Sequence, residues 1–586
     1  MNIKQRSLPT ILPTLPSYPS VIQRIYAARD IVDEAQLDKR LQALLPFNTL
    51  TDIDKACVRL EKALRLQQRI LVVGDFDADG ATSSALAVAA LRAMGALHVE
   101  FLVPNRFEFG YGLTPGIIGI AKQWNPDLII TVDNGIASID GVDAANEAGI
   151  DVLITDHHLP AETLPKACAI VNPNQVGCQF ESKAIAGVGV IFYVMLALRR
   201  HLSAGDWFQL TDSPEPNMAQ FLDLVALGTV ADVVPLDKNN RILVYQGLQR
   251  IRQGLCRPGV KGLIKVAGKR CETLRESDLG FSIAPRLNAA GRLDDMSLGI
   301  ECLLSETLEK AMHLASELDE LNIERRRIEV EMKDQALVAL NALALKSDLS
   351  ESALPAVLCL LDKSWHQGVI GILAGRLKER YHRPVIAFAK ASDEEIKGSA
   401  RSVPGLNIRD VLAAVDKDNP GLIVKFGGHA MAAGITLHPQ SFSTFRQALV
   451  QEVNKHLDIS QCKGELLSDG PLDTNDINLE LARLLQLAGP WGQQFPEPLF
   501  DNVFEILEQR LVGQNHLKLT LVREFGGEPI DAIAFNVDTK AWPNHRARYL
   551  HAAYKLDINE YNGRTRLQLI ITSMQAQSDG VSLIES

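Results

Sequence analysis

The sequence predicts a multidomain α/β protein with a parallel-sheet domain, a long connecting helix, a second α/β domain and a small β-barrel at the carboxyl end. Its 586 residues are several times the roughly 100–200 residues of a typical domain, so a single hydrophobic core is not expected. Between residues 68 and 173, short β-rich runs alternate with helical stretches, which is typical of a parallel sheet. Near the carboxyl end, apolar and polar residues alternate with period two, which favours an antiparallel sheet.

The parallel sheet is predicted from five short apolar runs. They cover residues 70–73, 99–103, 128–132, 152–155 and 169–171. Between them, residues 83–94 and 139–148 have the length and the Ala/Leu-rich composition of helices, and Gly149 is placed to end the second one. Strands that alternate with helices build a parallel sheet with helices on its faces.

The sequence pattern beyond the first sheet predicts a long helix, a second α/β domain and a β-barrel. Residues 306–345 are almost without Gly or Pro and repeat apolar residues at helical spacing, which indicates a long helix. A second α/β segment runs from 356 to about 457 and begins with a strand at 356–361. Beyond about 464 the strands alternate, and Asn562-Gly563 supplies the turn chemistry of a tight hairpin. We expect domains at 1–67 (extension), 68–304, 305–350 (helix), 351–460 and 461–586 (barrel).

Composition limits the class of protein and its partners. A net charge of −11, from 60 basic and 71 acidic residues, argues against a chain coated with basic groups, so a polyanion must be bound locally. The hydrophobic fraction of 46% and a mean hydropathy of +0.02 are ordinary globular values. Eight cysteines without a C-x-x-C pair indicate a reducing cytoplasm, and four prolines within residues 1–20 fit neither a secretion signal nor a membrane anchor. No membrane association is expected.

Three carboxylates at spacing two, Asp75, Asp77 and Asp79, directly follow the first predicted strand. An EF-hand calcium loop would need Glu at its twelfth position, where this sequence has Leu86, and would follow a helix. That interpretation is therefore set aside. A purely structural turn is the remaining simple alternative, because Asp and Gly are common turn formers.

Two further strands end in similar side chains. The run at 128–132 is followed by Asp133, and the run at 152–155 by Asp156-His157-His158. Because parallel strands share one carboxyl edge, we expect these groups to converge there. Close carboxylates repel one another unless a cation lies among them. Oxygen ligands with one or two imidazoles favour Mg²⁺ or Mn²⁺ over zinc, and Mn²⁺ suits the histidine best.

The triplet Asp156-His157-His158 resembles the signature of the DHH phosphoesterase superfamily. The acidic loop, the Val-Asp-Asn-Gly strand end, the triplet and a fourth motif at 228–235 occur in that superfamily's order. Residues 427–434 and 365–368 resemble motifs of the accompanying DHHA1 domain. Residues 285–292 and 489–492 resemble the RecJ branch, the single-strand-specific exonucleases. The resemblance covers about residues 68–571 and implies a DHH catalytic domain, a DHHA1 domain and an OB-like barrel.

The resemblance implies a site for two ions, Mn²⁺ or Mg²⁺. Its ligands would be Asp75, Asp77, Asp79, Asp133, His157 and Asp232, with Asp133 as the bridge. Many family members have a histidine where this sequence has Val73, so Asp75 is expected to complete that position. His158 is assigned to the substrate, as a group that polarises a phosphate oxygen or protonates the leaving group; a structural role is its alternative. Asp156 is assigned to fixing an imidazole tautomer beside it.

The family position also implies how a chain end is held. Arg106, Arg292, Ser399 and Arg401 are candidates for charge-assisted bonds to a terminal phosphate. The turn at 427–429 would add backbone N–H groups if a helix began there. For each residue taken alone, a solvated arginine or a packing glycine is nearly as good an interpretation.

Four more residues are expected to contact the strand itself. Tyr111 and His429 are assigned to stacking on or steering a base, and Arg286 and Asn288 to other contacts with the strand. The terminal barrel resembles an OB-fold, on which single strands bind by stacking and backbone charge. An acidic protein can still have a basic cleft.

The expected function is a metal-dependent 5′–3′ exonuclease that hydrolyses single-stranded DNA to 5′-mononucleotides, in recombination and repair. The polarity and the choice of DNA come from the resemblance alone. The alternatives are a DHH phosphodiesterase for oligoribonucleotides or cyclic dinucleotides, which is usually a shorter protein, and a scaffold that binds single strands without cleaving them. The expected partners are single-stranded DNA, a single-strand-binding protein and a helicase.

Overall fold

The computed structural model of the chain describes residues 2–105, 112–346, 354–457, 464–523, 528–561 and 563–577. The amino-terminal segment contains β1 (Asn2–Gln5), α1 (Ser20–Ala27) and α2 (Ile53–Arg65). The first sheet follows, with β2 (Ile70–Gly74), α3 (Ala78–Ala93), β3 (Val99–Leu102), α4 (Pro115–Ala121), β4 (Leu128–Val132), α5 (Ile139–Glu147), β5 (Asp151–Thr155), β6 (Ala169–Val171) and α6 (Gly187–Ala204).

The first sheet has the strand order β3-β2-β4-β5-β6, and all four strand pairs are parallel. Every residue of β2 and β4 is buried, because helices cover both faces of the sheet. This explains why the strands read as continuous apolar runs. The helix expected at 83–94 begins instead at Ala78, since Asp77 caps it with hydrogen bonds to two backbone N–H groups.

A helical region joins the two α/β domains. It contains α7 (Trp207–Leu210), α8 (Leu222–Ala231), α9 (Lys238–Arg252), α10 (Pro258–Val266), α11 (Glu276–Asp278), α12 (Ala284–Leu293), α13 (Ser297–Leu304) and the long α14 (Leu308–Lys346). A single π-helical turn at Leu279–Ile283 leads directly into α12. The long helix matches the one predicted at 306–345. It packs against α10, α12 and α13 on one side and α15 on the other.

The second α/β domain contains β7 (Leu358–Leu361), α15 (Ile370–Tyr381), β8 (Val385–Lys390), β9 (Ile396–Arg401), α16 (Ile408–Asp418), β10 (Lys425–Gly428), β11 (Ala432–Leu437) and α17 (Phe442–His456). Its strand order is β10-β11-β9-β8-β7, and only β7 and β8 pair in parallel. The motif at 365–368 lies between β7 and α15. This domain has core clusters of its own.

The carboxyl end contains β12 (Glu465–Ser468), α18 (Leu479–Ala488), β13 (Phe500–Val512), β14 (His516–Arg523), β15 (Ile530–Ala534), β16 (Tyr549–Tyr561) and β17 (Arg564–Gln577). The last five strands close in the order β13-β14-β15-β17-β16. Gly563, between β16 and β17, has a φ of 71°, as the predicted hairpin requires. Asn562 lies outside the described residues.

The amino-terminal segment connects the first domain with the carboxyl end. β1 pairs in parallel with β12, and the Tyr26 hydroxyl donates to the Ala488 carbonyl 2.9 Å away. Arg29 and Asp469 form a buried ion pair with an N–O distance of 2.7 Å. One hydrophobic core therefore runs from this segment through the parallel sheet into the barrel. Helix α6 is long and apolar enough to cross a membrane, but most of it is buried inside this core, against α3 and α8.

Candidate active site

Three neighbouring strands of the first sheet end in acidic or imidazole side chains. Asp75 and the two later carboxylates of its loop follow β2, Asp133 follows β4, and Asp156 to His158 follow β5. Because β2, β4 and β5 are adjacent and parallel, their carboxyl ends lie at one edge of the sheet. Asp232 reaches the same place from the end of α8, where it is the C-cap residue.

The ligand-type atoms at this edge form three overlapping groups, and within each group they all lie within 4.8 Å of one another. The groups are Asp75-Asp77-Asp133, Asp79-His157-Asp232 and Asp133-His157-His158. His157 Nε2 is 3.1 Å from Asp133 Oδ1 and 3.6 Å from Asp232 Oδ2. Asp133 and His157 each belong to two of the groups, so the three groups form one continuous cluster.

The carboxylate of Asp79 is held by a helix N-terminus. Its Oδ2 accepts from Gly187 N at 2.7 Å and its Oδ1 from Val188 N at 2.9 Å, at the first turn of α6. These donors carry the positive end of the helix dipole, which favours the ionised carboxylate. Asp133 has a left-handed backbone, with φ of 61°, which turns it out of β4.

Two glycines give these carboxylates their space. A Cβ on Gly187 would lie 2.7 Å from Asp133 Oδ1, and a Cβ on Gly228 would lie 2.9 Å from Asp79 Oδ1. Sequence reasoning did not assign either glycine to the site, although Gly228 begins a motif that it singled out. The sequence signal that could have identified Gly187 is a glycine at the start of a predicted helix. Glycine is unfavourable within helices, so its presence indicates a need for space or a close contact.

The electrostatics of this cluster suit a bound cation. Burial, followed by the charges of the other carboxylates, raises the pKa of Asp133 and of Asp232 well above the usual carboxyl value. Burial and the charge of Asp77 likewise raise the pKa of Asp79. Burial and the charge of His158 lower the pKa of His157 to about 4, so its imidazole is neutral at pH 7 and can ligate. Ionised oxygens with one neutral imidazole fit Mn²⁺ or Mg²⁺.

The side chain of Asp156 contacts the imidazole ring of His158. Its side chain is buried and accepts from the backbone N–H groups of Ile136, His157 and His158, and its Oδ1 lies 2.7 Å from His158 Nδ1. Burial lowers the pKa of His158, but the hydrogen bond and charge of Asp156 outweigh it, so this pKa is raised overall. Asp156 therefore fixes one tautomer and orientation of His158.

The second α/β domain brings His429 to the same site. The ring of His429 is stacked with that of His158, with centroids 6.4 Å apart. The segment at 427–429 is part of the β10–β11 hairpin, in which His429 N donates to the Ala432 carbonyl at 2.8 Å. No helix begins at this turn, so the condition under which its N–H groups would bind phosphate is not met, because its backbone groups pair across strands.

Ser399 and Arg401 lie on one face of β9, two residues apart. Arg401 Nη1 donates to Ser399 Oγ at 3.0 Å. A Cβ on Gly371, in the first turn of α15, would lie 2.9 Å from Arg401 Nη2 and 3.0 Å from Ser399 Oγ. The two side chains therefore pack over the N-terminus of α15, which adds a favourable dipole for an anion.

The three candidates in the motif at 285–292 all contact other parts of the protein. Arg286 is buried and its Nη2 pairs with Asp319 of α14 at 2.8 Å. Asn288 Oδ1 accepts from Ala78 N at 2.8 Å, and Arg292 Nη1 donates to the Gly368 carbonyl at 3.1 Å. Arg106 and Tyr111 lie outside the described residues.

Three domain families match this chain. The DHH family N-terminal domain matches residues 69–229, the DHHA1 domain residues 353–455 and the RecJ OB domain residues 468–573. The predicted fold class is thereby confirmed, with the three domains in the predicted order.

Curated relatives match over nearly the whole chain. "Single-stranded-DNA-specific exonuclease RecJ" of Escherichia coli (strain K12) is 52% identical over 95% of this chain and 96% of its own length, and the Dickeya dadantii (strain 3937) protein of that name is 53% identical over 97% and 99%. Among solved structures, RecJ from Thermus thermophilus in complex with Mn²⁺ has a TM-score of 0.77 at 29% identity, over 95% of this chain and 76% of that one. From its site geometry, domain order and near-complete coverage by these relatives, the chain belongs to the RecJ family.

Proposed function

We propose that this chain is a divalent-metal-dependent exonuclease that hydrolyses single-stranded DNA from the 5′ end to 5′-mononucleotides, in DNA recombination and repair. The observation that carries the proposal is the convergence of five carboxylates and two imidazoles at a single sheet edge. Support also comes from relatives that are more than half identical and are named single-stranded-DNA-specific exonucleases.

We assign the ion positions from the three ligand groups. Asp75 and Asp77 would hold one ion, Asp79, His157 and Asp232 the other, and Asp133 both. Two bound Mn²⁺ or Mg²⁺ ions would supply an activated water and stabilise the attacking and leaving oxygens of an in-line phosphoryl displacement. The N-terminus of α6 and the cap of α3 keep the carboxylates in place before the ions bind.

His158 acts on the substrate in this proposal. Asp156 binds its Nδ1, so Nε2 is the nitrogen that donates to a phosphate oxygen or to the leaving 3′-oxygen. Water adds to phosphorus, the bond from phosphorus to the 3′-oxygen breaks, and that oxygen takes up a proton. The products are a 5′-mononucleotide with a free 3′-hydroxyl and a strand one residue shorter, with a new 5′-phosphate.

The 5′ polarity would come from the second α/β domain. Ser399, Arg401 and the N-terminus of α15 offer hydrogen-bond donors and positive charge for a terminal phosphate. His429, stacked near His158, would contact the first nucleotide between that phosphate site and the ions. A strand end bound in this way leaves the first phosphodiester at the ions.

The proposal is tested by digesting a single-stranded oligonucleotide labelled at either end, with Mn²⁺, with Mg²⁺ or with EDTA. We expect mononucleotides from the 5′ end only with metal, and their loss in Asp133→Asn. Asp393→Asn, at an exposed carboxylate of the second domain, is the matched control and should keep full activity. Release from the 3′ end would contradict the polarity, and binding without shortening would favour a non-catalytic scaffold.

The cellular setting is part of the proposal. A single-strand-binding protein and a helicase would supply the strand, and the cytoplasm is the compartment where such DNA lies. The seven cysteines within the described residues are free thiols, which fits a reducing compartment. Co-purification of tagged chain with these two proteins, with and without nuclease treatment, tests the partnership.

A further inference from the structure

The N-terminus of α3 carries Asp77 and Asp79, and its first three backbone N–H groups are all bound by side chains. Asp77 Oδ1 accepts from Asp79 N at 2.9 Å and from Gly80 N at 3.0 Å. The remaining donor, Ala78 N, binds Asn288 Oδ1 of α12 at 2.8 Å. Because the first turn of a helix has no internal acceptors for these groups, Asn288 completes the cap that Asp77 begins.

This shared cap links Asn288 to the ion ligands. The carboxylate of Asp77 is oriented by the N–H groups that it binds, and its oxygens belong to a ligand group with Asp75 and Asp133. A shift in the first turn of α3 would therefore move Asp77 as a ligand. The same turn carries Asp79, which reaches the other group.

Helix α12 lies directly against the acidic loop, so Asn288 is rigidly placed. A Cβ on Gly291 would overlap the Phe76 carbonyl oxygen, so the two backbones are in contact. At the next residue the same helix contacts the second domain, where a Cβ on Gly368 would overlap the Arg292 carbonyl oxygen. Both contacts keep α12 from moving away from the loop.

We propose that Asn288 is a positioning residue of the metal site, which holds the first turn of α3 and thereby sets Asp77 and Asp79 for ion binding. The assignment rests on the proposed function and gives Asn288 a partner within the protein instead of the DNA strand. The two possible roles predict different results. If Asn288 contacts the DNA, its substitution changes the affinity for DNA measured without metal. If Asn288 positions the metal ligands, its substitution changes the affinity for metal measured without DNA.

The test uses the full chain and two readouts. Mn²⁺ affinity is measured by titration calorimetry without DNA, and DNA affinity by fluorescence anisotropy in EDTA. Asn288→Leu, similar in size but without an acceptor, should weaken Mn²⁺ binding by about 10-fold or more, as loss of an outer partner of a metal ligand does. Its DNA affinity in EDTA should stay unchanged. Asn288→Asp keeps an acceptor for Ala78 N and should bind Mn²⁺ more tightly than Asn288→Leu.

A cap elsewhere in the chain supplies the control. Asn478 caps α18, where its Oδ1 accepts from Leu481 N at 2.8 Å, so Asn478→Ala should lower the melting temperature and leave Mn²⁺ affinity unchanged. Asn288→Ala replaces Asn288→Leu if the latter unfolds. The assignment would be overturned if Asn288→Leu, or Asn288→Ala in its place, bound Mn²⁺ as tightly as the wild type. It would also be overturned if that variant lost affinity for DNA in EDTA. Absence of Mn²⁺ binding by the wild type would overturn the proposed function and this assignment with it.

Discussion

Gly187 lies so close to Asp133 that a Cβ at position 187 would be 2.7 Å from the Asp133 Oδ1 atom. The backbone N–H of this glycine also donates to Asp79 Oδ2 at 2.7 Å. Gly187, which has no side chain, thus contacts one carboxylate from each of the two proposed ion sites. The first turn of α6 is therefore part of the wall of the site.

We expect Gly187→Ala to lower nuclease activity by at least about 100-fold, because the added methyl displaces the bridging carboxylate. Gly259→Ala is the matched control, since its Cβ would overlap the Cys302 carbonyl oxygen, where α10 meets α13 and not at the carboxylates. The control should lose stability and keep its Mn²⁺ affinity. If Gly187→Ala kept full activity at saturating Mn²⁺, the placement of the Asp133 carboxylate would not depend on a glycine at position 187.

Asp156→Asn is expected to change the pH profile. Burial lowers the pKa of His158, but Asp156 raises it overall, so His158 stays protonated to a higher pH than an ordinary histidine. If protonated His158 is required, the rate falls as the pH rises through this pKa. Removing the carboxylate lowers the pKa, so the alkaline limb of kcat should move to lower pH. An unmoved limb in Asp156→Asn would exclude His158 as its origin.

Arg401→Ala is expected to remove the preference for a 5′-phosphate. A charge-assisted hydrogen bond contributes about 1.5–3 kcal/mol, or roughly 10–150-fold in KM. KM should therefore rise for 5′-phosphorylated strands and stay nearly constant for 5′-hydroxyl strands. An equal increase for both substrates would indicate a general contact and not an end-specific one. Arg446→Ala, at an exposed arginine of α17 in the same domain, is the control.

The buried pair of Arg29 and Asp469 should stabilise the junction between the amino-terminal segment and the carboxyl end. Both side chains are almost fully buried, so Arg29→Ala leaves Asp469 with the more distant Arg6, at an N–O distance of 3.8 Å, and should cost about 3 kcal/mol in the free energy of unfolding. Arg40→Ala removes an exposed pair with Asp38 and should leave the free energy of unfolding nearly unchanged. Urea denaturation measures both. Equal losses would contradict the structural role of Arg29.

The strands and their convergence could be predicted because parallel topology follows from local patterns. Five apolar runs placed the sheet, and strand ends such as Asp133 and Asp156 were expected at one edge, where the structure has them. The start of α3 was misplaced because Asp77 is both a cap and a ligand-type residue, and the sequence pattern suggested only the second role.

Contacts between distant segments could not be predicted from the sequence. The bond between Asn288 and Ala78 joins residues far apart in the chain, and it depends on how α12 packs against the acidic loop. The same is true of Gly187, whose role arises from the position of α6, and of the stacking of His429 on His158. A contact of Arg286 with DNA stays a prediction, and the tests of Asn288 decide between a strand contact and the proposed positioning role.

The dinuclear metal site is the central claim, and anomalous diffraction from crystals grown with Mn²⁺ tests it most directly. The account predicts two anomalous peaks about 3.5–4 Å apart with the Asp133 carboxylate between them. One peak is expected beside Asp77 and the other beside His157. A single peak, or peaks away from Asp133, would contradict the account.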